Sequence, residues 1–171
     1  MKKTVLTFGL ISGVVSSLLM LATVPFIDRI GFDHGLIVGY TAIVLSFLLV
    51  FFGIRSYRDN VGGGAISLGR GLAVGLLITL ISSAFYVATW EVIYFKFMPD
   101  FADKFTAHSI AQARAHGATP EELAAKEQQG REFKAMYDKP LYNIAMTFME
   151  PAPIGLLVTV VSAAVLRRRQ A

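Results

Sequence analysis

Four apolar stretches, Thr4 to Ile27, Gly35 to Ile54, Gly71 to Phe95 and Leu141 to Leu166, take up more than half of this 171-residue chain. Each is long enough to cross a hydrocarbon core, which takes about 20 apolar residues in a helix. Lipid offers no partner to a backbone amide, so each stretch should be a helix that closes its own hydrogen bonds. The expected fold is an all-α integral membrane protein. It has four transmembrane helices, at about 4–27, 35–54, 71–95 and 141–166, in a single four-helix domain spanning 1–171. A segment of different character, 97–140, separates the third helix from the fourth.

Charge gives the expected orientation. The chain carries a formal charge of +4, but its basic residues gather at helix ends instead of forming a nucleic-acid-binding surface. Lys2 and Lys3 precede the first span, Arg55, Arg58 and Arg70 flank the turn between the second and third, and Arg167, Arg168 and Arg169 follow the fourth. Between the first two spans Arg29 stands alone against Asp28 and Asp33. Lys and Arg are retained on the cytoplasmic side of short loops, which predicts cytoplasmic termini and headgroup-facing arginines at 55, 58, 70, 167, 168 and 169. The first apolar run exceeds the roughly 7 to 15 residues of a signal peptide, so the first helix is expected to remain. Absence of cysteine excludes disulfides, thiolate metal sites and cysteine nucleophiles.

The 97–140 segment then falls outside the cytoplasm. Its part from Lys96 to Lys139 holds seven basic and seven acidic residues, a balance that does not oppose translocation. Asp100 to His116 reads as one helix ended by Gly117. Thr119, Pro120 and Glu122 supply an N-cap, a proline at the first helical position and a capping-box glutamate for a second helix reaching about Tyr137. The result is an extracytoplasmic helical hairpin with a thin apolar stripe, suited to resting on the membrane or on a partner. His108 and His116, eight residues apart, lack the i,i+4 spacing of helical metal ligands and read as surface histidines. No metal or cofactor is implied.

Within the spans, Gly9 and Gly13, Gly35 and Gly39, and Gly71 and Gly75 are spaced for close helix approach, within the four-helix bundle or in a homo-oligomer. Gly71, Gly75, Thr79, Ser82, Tyr86 and Thr89 form one stripe on the third helix, read as packing against its neighbours. Glu91 lies roughly opposite, where snorkelling or contact with the insert accounts for it. Glu150 carries most information, because a carboxylate inside a span is costly and is placed for a reason. At about 1.5 Å per residue it stands roughly 25 Å from Arg167, in the outer part of the bilayer. Asn143, Thr147 and Glu150 share a face, and Pro151 and Pro153 remove the backbone donors that follow. This is a candidate outward polar pocket. Below it the face continues as Ile154, Leu157 and Val161, so no polar lane runs through the helix. The glycines of 62–64 lack the Lys-Ser/Thr continuation of a phosphate loop.

Several motifs resemble a bacterial membrane family filed as domain of unknown function 4199. They are Tyr57-Arg58-Asp59 and the following glycines through Ile66, Ser67, Leu68 and Gly69; Trp90 and Glu91 with Pro99, Asp100 and Phe101; Met146, Thr147, Phe148, Glu150, Pro153 and Gly155; and Arg167 with Arg168. The resemblance covers the chain from about Tyr57 onward, with the first two spans matching mainly in hydropathy. It implies a four-helix protein of the bacterial inner membrane and carries no activity onto any residue. The expectation is a non-enzymatic binding or structural component whose partner is a membrane or periplasmic protein, a lipid or a small ligand. A small oligomeric transporter using Glu150 is the alternative. An intramembrane enzyme ranks last, since Glu91 and Glu150 have no nucleophile or histidine near them in sequence.

Overall fold

The computed structural model describes Met1 to Arg168, apart from the side chain of Asp28. Among the described residues it is helical throughout, with one isolated β-bridge between Ile66 and Arg168 and no strand. Helix α1 is Lys2–Thr23, followed by a 3-10 turn at Val24–Phe26. Next come α2 (Ile27–Asn60), α3 (Leu68–Val92), a π-helical turn at Ile93–Phe97, α4 (Phe101–Ala115), α5 (Pro120–Tyr137), α6 (Pro140–Phe148) and α7 (Pro151–Leu166). Four helical stretches are long and apolar enough to cross a membrane: Lys2–Phe26, Arg29–Asn60, Leu68–Phe97 and Pro140–Leu166.

The second stretch is longer at both ends than hydropathy suggests. The segment Asp28 to His34, read from sequence as a loop, is helical except at Gly31, whose φ of 70° and ψ of 166° interrupt the helix. Only glycine occupies that backbone region readily, so the residue type sets the break. At the other end, Arg55 and Arg58 lie on the last turns of α2 and not in a connection. Charge marks where the apolar solvent stops, whereas the hydrogen-bond ladder continues as long as the backbone allows. The turn from Val61 to Ser67 then reverses the chain through Gly63 and Gly64, both at positive φ.

Residues Met1–Thr89 and Thr147–Ala171 form one compact unit, and Trp90–Met146 a second. The first unit is small and hydroxylic inside and apolar outside. On α1, Gly9, Ser12, Gly13 and Ser16 are buried while Leu6, Leu10 and Leu18 face outward. That polarity suits a lipid solvent, where aliphatic side chains gain little by leaving the surface and close backbone approach holds helices together. Gly9 and Gly13 lie against Ile81 and Phe85 of α3. Gly71 and Gly75 lie against Ala163 and Thr159 of α7, with Ile54 of α2 beside both. Gly35 and Gly39 meet nothing within 4 Å of where a Cβ would stand. Val50, Ile54, Val74 and Ile78 fill the remaining centre with no exposed surface.

Hydroxyl bonds join the same helices. Ser12 Oγ donates to the Ser46 carbonyl at 2.9 Å and lies 2.9 Å from Ser82 Oγ, tying α1 to α2 and α3 at one point. Ser17 and Thr89 pair at 2.7 Å, and Thr79 and Thr159 at 3.2 Å. Bonds of this type between membrane helices contribute about 0.6 kcal/mol on average, up to about 1.7.

In the second unit, α4 packs on α5. Phe105 meets Phe133 at a ring-centroid distance of 6.2 Å, and Lys134 reaches Asp103 at 3.3 Å. Helix α4 ends at the expected place, with Gly117 at φ +82°. The Thr119 hydroxyl accepts from the Glu122 amide while the Glu122 carboxylate accepts from the Thr119 amide, so the capping box forms in full. An aromatic cluster joins Trp90, Tyr94, Phe101 and Tyr137, with Trp90 Nε1 donating to Tyr137 Oη at 2.9 Å and Tyr94 Oη donating to Asp138 at 2.6 Å.

Two measurements check this packing. Gly13→Ala puts a methyl about 2.6 Å from Phe85 Cγ, and overpacking of this kind should lower stability by about 1–3 kcal/mol. Gly39→Ala meets open space and should gain up to about 1 kcal/mol of helix propensity; equal melting shifts for the two in detergent would contradict the assigned helix contacts. The second concerns pH. Burial works against the Lys134 ammonium, but Asp103 and Asp138 outweigh it and hold its pKa above the ordinary lysine value. Its contribution is complete below about pH 10 and is lost as pH rises through the raised pKa. Asp100, hydrogen-bonded by Lys104, has its pKa lowered, so its contribution is present above about pH 4 and lost on further acidification. The fluorescence of Trp90, the one tryptophan in the chain, should report loosening at both extremes, and Lys134→Met should abolish the alkaline limb.

Candidate functional site

The fourth apolar stretch breaks in its first half. Helix α6 stops at Phe148, Met149 and Glu150 form a turn, and α7 starts at Pro151. Pro151 and Pro153 lack amide hydrogens, so the first turn of α7 cannot continue the ladder of α6. The Glu150 amide instead reaches back to the Thr147 carbonyl at 3.3 Å. A carboxylate therefore sits at a helix interruption with its side chain exposed on the protein's surface. Tyr86 of α3 donates its hydroxyl to Glu150 Oε2 at 2.7 Å, a short charge-assisted bond that fixes the carboxylate's direction.

The three residues grouped by helical spacing meet different fates. Glu150 is exposed and held by Tyr86. Thr147 is buried in the first unit. Asn143 belongs to the second unit, where it is fully buried and its Nδ2 donates to the Tyr137 carbonyl at 3.1 Å, closing the C-terminus of α5. Spacing on one helix placed Tyr86 in the third-span stripe but could not pair it with Glu150, because the pairing depends on how α3 and α7 cross. Glu91 is half-buried in the second unit, with Oε1 enclosed and lacking a hydrogen-bond partner among the described residues. His116 Nδ1 lies 2.7 Å from the Gln112 carbonyl of its own helix.

The arginines at the ends of the spans divide into two sets. Arg55 and Arg58 both engage Asp59, at 3.6 and 2.7 Å. Arg70, Arg167 and Arg168 line a cavity of about 1000 Å³ formed by the 61–67 turn, the start of α3 and the chain leaving α7. Arg70 Nη1 donates to Tyr57 Oη at 3.3 Å. Arg168 is held through its backbone, exchanging two 3.1 Å hydrogen bonds with Ile66. Arg169 lies outside the described residues. Sequence assigned these side chains to headgroups but did not reveal that they share an open cavity, since nothing in their spacing indicates that residue 168 returns to pair with residue 66.

A family model described as a protein of unknown function, DUF4199, matches residues 7–168. The match therefore includes the first two spans, beyond the part from about Tyr57 that carries recognisable motifs. Neither a curated protein nor a solved structure matches the chain.

Removing the Tyr86 hydroxyl tests the carboxylate's anchorage. Tyr86→Phe should cost about 0.5–1.5 kcal/mol in detergent, whereas Glu150→Gln, which keeps an acceptor for the hydroxyl, should cost less. A larger loss for Glu150→Gln in thermal unfolding would show that partners other than Tyr86 hold the carboxylate.

Proposed function

The chain belongs to the DUF4199 family of proteins of unknown function, and from that premise we propose a non-enzymatic, multi-pass component of the bacterial inner membrane that binds a partner at its outer side. Its four helices form a bundle with both termini in the cytoplasm, the orientation favoured by the basic residues at 2, 3, 55, 58, 70, 167 and 168. The α4–α5 segment is read as an extracytoplasmic hairpin that offers its polar surface to a membrane or periplasmic protein.

One observation supports binding over transport most directly: of the hydroxyls inside the spans, several are bonded across helices, while Ser83 Oγ is buried with no partner among the described residues. Ser12 with Ser46 and Ser82, Ser17 with Thr89, and Thr79 with Thr159 are committed to helix contacts. A path for a polar solute needs such groups turned toward water, and a coupling carboxylate belongs on that path. Glu150 instead stands on the surface, bonded to Tyr86.

The second reading is a small transporter assembled as a homo-oligomer, with Glu150 lining a path between copies. What favours it is the outward face of α2, where Leu36, Ile37 and Tyr40 are exposed and Gly35 meets nothing within 4 Å of a Cβ position. A small residue beside exposed apolar ones permits a second chain to approach closely.

Labelling and flux separate these readings. Ala118→Cys should react with a membrane-impermeant maleimide on intact cells, and Val61→Cys only after permeabilisation. The reverse pattern overturns the orientation. A photo-crosslinker at Gln129, exposed on α5, should give one discrete adduct in cells; its absence counts against partner binding. Vesicles containing the wild-type protein and a trapped pH dye should leak protons no faster than those containing Glu150→Gln, and a Glu150-dependent flux would favour the transporter.

A further inference from the structure

The cavity between the 61–67 turn and the end of α7 has the build of an anion site. Its volume of about 1000 Å³ matches the upper end of the range for ligand pockets, about 300–1,000 Å³. Three arginines, Arg70, Arg167 and Arg168, are among the residues that line it, and no acidic residue is. The nearby carboxylate, Asp59, is engaged by Arg55 and Arg58 instead. Arg70 has a neutral partner, the Tyr57 hydroxyl, which leaves its charge uncompensated. Among the described residues, no ion pair reaches Arg70, Arg167 or Arg168.

Three like charges gathered at one cavity repel each other, and backbone bonds of the fold hold the segments that carry them. The two-way Ile66–Arg168 bridge pins the chain leaving α7 to the turn. The left-handed Gly63 and Gly64 shape that turn, and Ser67 caps α3 by accepting from the Arg70 amide at 3.3 Å. Arginine's planar fork suits an anion with several oxygens, which it can engage through two donors at once. Tyr57 and Ser67 add hydroxyl donors at the same wall.

We propose that this cavity binds a phosphate-bearing ligand, with Arg70, Arg167 and Arg168 as its charged contacts. A phospholipid headgroup and a soluble phosphate compound present the same chemistry. The site is separate from the Glu150 surface and does not depend on the function proposed for it.

The test uses the full chain purified in neutral detergent. Inorganic phosphate is titrated by calorimetry, and phosphatidylglycerol is compared with phosphatidylcholine in mixed micelles. Saturable binding that falls at least tenfold in both Arg70→Gln and Arg168→Gln supports the site. Arg55→Gln, whose guanidinium engages Asp59 outside the cavity, should bind as the wild type does. Binding of free phosphate identifies a soluble ligand class, and binding of phosphatidylglycerol alone identifies a headgroup. If Arg70→Gln fails to fold, Arg167→Gln replaces it, because among the described residues no side-chain bond involves Arg167. Absence of saturable binding to either probe overturns the proposal, as does an equal loss in Arg55→Gln.

Discussion

Helices that share a lipid solvent gain little from burying aliphatic surface against each other, so close backbone approach and hydroxyl bonds must hold the spans together. In the first compact unit both devices meet at α1. Gly9 and Gly13 admit Ile81 and Phe85, and between these contacts Ser12 bonds to α2 and α3 together. Gly71 and Gly75 repeat the arrangement between α3 and α7. The outward leucines of α1 complete the pattern, since large apolar groups occupy the surface that a soluble protein would cover with charge.

This packing also determines what polarity is left for function. Hydroxyls used between helices are not available to a permeating solute. The remaining polar features of the first unit include Glu150 at a helix interruption and three arginines around a turn-bounded cavity. Each lies beside a stretch of irregular backbone, Met149–Glu150 in one case and Val61–Ser67 in the other. Irregular backbone leaves groups that a regular helix would have bonded internally.

Local chemistry was legible where it acts within a few residues. The capping box at Thr119 and Glu122 formed as read, and so did the stop at Gly117, because each involves only its own turn. The small and hydroxyl stripe of α3 likewise packs as its spacing implied, with Gly71, Gly75, Thr79 and Ser82 all buried. The limits of α2 were not legible, because hydropathy measures the solvent preference of side chains and the helix continues past Arg55 to Asn60. Asn143 shows a further gap: its place on a helical face gives no sign that its amide donates to the end of α5.

Sequence alone determined the solvent, the number of apolar spans, the caps of α4 and α5, and the cost of placing Glu150 within a span. All of these follow from side-chain transfer energies and short-range backbone geometry, which are properties of consecutive residues. Tertiary structure alone decided which glycine pairs touch a neighbour, that Tyr86 holds Glu150, and that Arg70, Arg167 and Arg168 surround one cavity. Those outcomes depend on where distant segments cross, as Ile66 and Arg168 do, and residue spacing along a single helix carries no information about that crossing.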